Sequence, residues 1–108
     1  MPTQVNEADW KLFRKKLPGW QEAHMDSLNR KYAALLAGPG SAADIFWELE
    51  KQINADKHHV GVVAELSRSK MDHNILSLLA EGAISLEDLS VFSEDLQSKM
   101  AFIVERHF

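Results

Sequence analysis

The chain has 108 residues, a formal net charge of −4 and a hydrophobic content of 45%, which fits a single domain over residues 1–108 with enough apolar material for a core. Cysteine is absent, so disulfides, cysteine nucleophiles and thiolate metal sites are excluded. The first eight residues are polar and unlike a signal peptide, no apolar run approaches the ~20 residues of a membrane span, and the expectation is a soluble cytoplasmic protein with no membrane partner.

Ala, Leu, Glu, Lys and Gln dominate over β-branched residues, which predicts an all-α fold. A short first helix is expected over about 7–16. Asn6 and Asp9 offer its cap, and Trp10, Phe13 and Leu17 share one face. Pro18-Gly19 should interrupt it, with proline in the first turn of the next helix. That second helix, over about 19–37, carries Met25, Leu28, Tyr32, Leu35 and Leu36 as its stripe. Gly38-Pro39-Gly40 then breaks the chain.

The third helix, from Ser41 to about residue 56, buries Ile45, Phe46, Leu49 and Ile53. A break is expected at 58–61, where Gly61 lies among β-branched valines. The fourth segment, about 62–81, turns Val63, Met71, Ile75, Leu78 and Leu79 inward. The fifth comes after Ser85 with the cleanest period, Leu89, Phe92, Leu96, Met100 and Ile103. The predicted architecture is an antiparallel bundle of about four main helices plus the short N-terminal one, with two hairpins packed together.

One phrase occurs twice: Gly38, Ser41, Asp44 and then Gly82, Ser85, Asp88. The glycine suits a left-handed helix stop, the serine a cap, and the aspartate a reach back to the cap amide. Both sets read as punctuation between helices, and independent reuse explains them better than duplication.

Three groups of residues are candidates for function. Trp20, Trp47, Val91 and Phe102 lie off the apolar stripes or at a helix start, where aromatic and apolar surface favours an interface. Lys11, Arg14, Lys15 and Lys16, interleaved with aromatics, offer phosphate contacts, although the overall charge is acidic. Asp56, His58 and His59 offer metal ligands or proton transfer, yet neighbours on a helix diverge and no His-x-x-x-His pair is present. No Gly-x-Ser-x-Gly elbow or phosphate loop occurs, and no cofactor is expected.

Charge is uneven along the chain. Residues 1–40 hold six basic and four acidic side chains, whereas 81–108 hold six acidic against Lys99 and Arg106. A basic front and an acidic back favour association within or between copies. The leading expectation is therefore a non-enzymatic protein–protein interaction or regulatory module, most simply a homodimer. Nucleic-acid binding through the first helix comes second, and a metal-dependent activity at Asp56, His58 and His59 third.

Overall fold

Four α-helices and two short 3₁₀ turns make up the computed structural model, which describes residues 5–107. Helix α1 spans Glu7–Ala37 and α2 Ala42–Asp56. After residues 57–67 and a 3₁₀ turn at Arg68–Lys70 comes α3, Met71–Ala80. A second 3₁₀ turn, Leu86–Leu89, precedes α4, Glu94–His107. The all-α class is as the composition predicts, and no strand occurs among the described residues.

The expected break at Pro18-Gly19 is absent: the first two predicted helices are one, with Pro18 inside it. Proline removes the hydrogen bond to the Arg14 carbonyl, at a cost of about 3 kcal/mol. Pro18 and Arg14 both face solvent, so water can satisfy that carbonyl. On the opposite side Trp10, Phe13 and Leu17 are buried and Trp20 is packed against them. Burial of these large side chains offsets the local penalty.

Among the described residues the core has eleven buried hydrophobic ones: Trp10, Phe13, Leu17, Met71, Ile75, Leu78, Ile84, Leu89, Phe92, Leu96 and Met100. The first half of α1 thus packs against α3, the second 3₁₀ turn and α4. Aromatic rings run through it: Trp10 stacks on Phe13 at 6.2 Å between centroids, and Trp20 on Phe92 at 6.1 Å. The predicted fifth stripe is buried from Leu89 to Met100, with Ile103 half-buried. Its N-terminal end is a 3₁₀ turn, and the α-helix proper starts only at Glu94.

A buried carboxylate joins the two ends of the body. Asp9, 4% exposed, accepts from the Ser93 amide at 2.9 Å and the Ser93 hydroxyl at 2.6 Å. Ser93 Oγ in turn accepts from Leu96 N at 3.2 Å, capping α4. Asn6 alone caps α1, accepting from the amides of Ala8 and Asp9, so Asp9 is free for this longer reach. Asp9→Ala leaves buried donors without an acceptor and should cost about 1–3 kcal/mol in urea unfolding, with the first turn of α4 losing amide protection first.

The repeated phrase divides its labour differently at its two sites. Ser41 Oγ accepts from Asp44 N at 3.1 Å, as a cap should. At the second site Asp88 takes the leading part, accepting from the Ser85 amide at 2.7 Å and its hydroxyl at 3.2 Å. Gly82 is left-handed, with φ 72°. Gly38 is extended, and Gly40 takes the positive φ of 136° instead.

The rest of α1 departs from the body. With α2 folded back along it, the second half of α1 forms a protruding arm, so the two predicted hairpins do not close on each other. The molecule measures 56 × 26 × 23 Å with a radius of gyration of 16.6 Å, against about 13 Å for a compact chain of ~100 residues.

Candidate interaction surface

The arm has a seam and an open face. Along the seam Met25, Leu28, Tyr32 and Leu35 of α1 are half-buried, as are Ile45, Glu48, Leu49, Gln52 and Asp56 of α2. No residue of α2 is fully buried. Three members of the predicted inward stripes, Leu36, Phe46 and Ile53, are exposed at 58%, 61% and 40%. Val63, also predicted inward, is exposed in the segment after α2. For the three on the arm, none of the other described helices comes alongside to cover them; Val63 lies where the expected fourth helix does not form, since α3 starts only at Met71.

Exposed and half-buried apolar residues together line two hollows on the arm. One, at the tip, is lined by Leu36, Ala42, Ile45, Phe46 and Leu49. The other, at the base, is lined by Met25, Leu28, Asn29, Tyr32, Ile53 and Val62. Helical spacing places Leu36 and Met25 on the side of α1 that adjoins Phe46 and Ile53 of α2, so the two hollows lie in line along one side of the arm, the two ends of its groove. Trp47, 62% exposed, meets Phe46 edge-on at 5.0 Å.

Polar contacts pin the base of the arm. Asp56 accepts from Lys31 Nζ at 2.9 Å and from the Tyr32 hydroxyl. Those two hydrogen bonds hold the Asp56 carboxyl below its ordinary value. Burial, with the Asp56 hydrogen bond and charge, pushes the Tyr32 phenol up to about 12. Tyr32 is the chain's single tyrosine, so phenolate absorbance reads it directly. Ionisation should be delayed to about pH 12 and fall back towards 10.0 in Asp56→Asn.

The other candidate residues are dispersed. Val91 and Phe102 are exposed on the body, and Arg106 lies over the Phe102 ring at 4.3 Å. Trp20 is taken up by the chain's own core, between Phe13 and Phe92. Lys11, Arg14 and Lys15 are exposed on α1 while Lys16 is half-buried; the Arg14 guanidinium sits over Trp10 at 5.2 Å. Asp56, His58 and His59 do not converge. Asp56 is engaged by Lys31 and Tyr32, His58 is exposed, and His59 bonds to Gly61 and Ser77. Among the described residues no three His, Cys, Asp or Glu side chains are grouped to hold a metal ion.

No protein-family model, curated protein or solved structure matches this chain. Among the described residues no helix is long and apolar enough to cross a membrane. Taken together, these features define a small all-α protein whose most conspicuous surface is the uncovered face of a helical arm.

Proposed function

We propose that this protein is a non-enzymatic, cytoplasmic interaction module that self-associates through the open face of the α1–α2 arm. The observation that carries the reading is that α2 has no buried residue yet presents Phe46, Trp47 and Ile53 to solvent. Contiguous apolar surface of this kind is characteristic of contact sites.

A second copy is the occupant that fits. The hollows are lined by apolar and uncharged side chains, apart from Asp56, already paired with Lys31, and Lys57. A chain of net charge −4 meets its own copy with least repulsion where it is uncharged. A two-fold arrangement lays the Phe46 end of one arm over the Met25–Ile53 end of its copy, completing four helices from two hairpins. The 15 residues of α2 extend about 22 Å at ~1.5 Å per residue. A face two helices wide then projects about 400 Å² per copy, and with side-chain relief the pair reaches the order of 1,000 Å² expected of a specific interface.

Sedimentation velocity of the full chain across a wide concentration range tests this. A dimer that dissociates on dilution is expected. A monomer at every concentration overturns self-association, and a monomer that binds some other helical protein through Phe46 reassigns the face to that partner.

A further inference from the structure

At the base of the arm, residues 57–67 return the chain from α2 to the body. Near its far end Asn74 Nδ2 of α3 donates to the Glu65 carbonyl at 3.1 Å, and three further contacts gather around His59. Gln21 Nε2 donates to the Val60 carbonyl at 2.9 Å. His59 Nε2 meets the Ser77 carbonyl of α3 at 3.3 Å, and His59 Nδ1 accepts from the Gly61 amide at 2.9 Å. In addition the His24 ring of α1 lies against the His59 ring, 5.1 Å between centroids. It also closes directly on Gly61: a Cβ there would come within 2.3 Å of His24 Cδ2.

These contacts define a protonation state. A carbonyl oxygen only accepts, so Nε2 of His59 carries the hydrogen. Nδ1 accepts from an amide, so it carries none. A proton added at Nδ1 would set an N–H against the Gly61 N–H, two donors with no acceptor between them. The Gly61 amide and the Val62 and Val63 amides, which both donate to the His59 carbonyl at 2.9 Å, hang on the same residue.

We propose that His24 and His59, closed over Gly61, form a proton-sensitive latch that holds residues 57–67 against α1 and α3 and opens on acidification. The charged and titratable groups facing the pair are Lys31 from α1, Asp56 from the end of α2 and Glu81 after α3; Lys57 and His58 belong to the segment itself. Desolvation, then the charge of His59, holds His24 below the ordinary histidine value of 6.5. The unfolded chain therefore takes up that proton more readily than the folded one. Stability from the neutral ring is present above 6.5 and is lost as pH falls from 6.5 through the lowered folded value. Val62 lines the base of the arm's groove, so opening reshapes that end of it. The latch stands whether or not the groove takes a second copy.

Amide exchange by NMR on the full chain tests it, read as protection factors so that the intrinsic pH dependence cancels. Between about pH 8 and about pH 5, protection at Gly61, Val62 and Val63 should fall by about tenfold or more, because the open form takes up a proton that the closed contacts exclude. Ile75 and Leu78 in α3 should keep theirs. His59→Asn retains an acceptor at the δ position and takes up no proton in this range, so its step should shrink to the part that His24 supplies. A level wild-type profile, or an undiminished step in His59→Asn, overturns the proposal. So does a wild-type His59 ring whose nitrogen shifts show the Nδ1–H tautomer at about pH 8, a result that depends on no variant.

Discussion

Phe46→Asp is expected to turn a self-associating chain into a monomer and leave its thermal unfolding, compared at dilutions where both are monomeric, unchanged. Phe46 is 61% exposed and shares the tip hollow with Leu36 and Leu49, so no core contact of the single chain is lost. In a two-fold contact the substitution acts twice, placing two carboxylates in apolar surroundings where each costs several kcal/mol unless paired. The dimer should weaken by at least about a hundredfold, since about 2.7 kcal/mol suffices for that. Ile53→Asp, at the other end of the groove, should act in the same direction. Val91→Asp, on the body, should not. Sedimentation equilibrium of the three variants separates the arm from the body. An undiminished dimer in both Phe46→Asp and Ile53→Asp would remove the arm from the interface, and a monomer in Val91→Asp would move the interface to the body.

The opposite behaviour is expected of Phe13→Ala. Phe13 is fully buried and lies between Trp10 at 6.2 Å and Trp20 at 6.3 Å. Truncating a buried phenylalanine costs about 3–5 kcal/mol through lost transfer energy and the cavity left behind. Domains of this size have only about 5–15 kcal/mol in total, and about 1 kcal/mol moves the midpoint by about 4–8 °C. Thermal unfolding should therefore shift down by more than about 10 °C, or the chain should fail to fold. Phe46→Ala, the same chemistry on the arm, should move the midpoint of the monomer by little. If the two alanine variants melted together, the division into a packed body and an open arm would be wrong.

That division was only partly legible in the sequence. Trp10, Phe13 and Leu17 share a helical face and are buried. Leu36, Phe46 and Ile53 show the same periodicity and are exposed. A periodic stripe reports that a helix has an apolar side; it carries no information on whether another helix arrives to cover it. Trp20 shows the converse. Two positions after Pro18 it reads as the first turn of a new helix, yet the continuous α1 delivers its ring to Phe92, more than seventy positions on. Asp9 likewise reads as a local cap residue, and its partner Ser93 is found only when α4 docks on α1.

Short-range chemistry sufficed for the helical class, the stop and cap around Gly38 and Ser41, the left-handed Gly82 and the interruption near Gly61, because each depends on groups within a few residues. Packing governed the rest: it carried α1 through Pro18 because core burial outweighed one lost hydrogen bond, assigned Asp9 to Ser93, closed His24 on Gly61, and left the arm's apolar face without cover. Burial of apolar surface has no direction along the chain, so which stripes it claims is set by where the helices end up, and in this fold the outer end of the arm lies beyond the reach of α3 and α4.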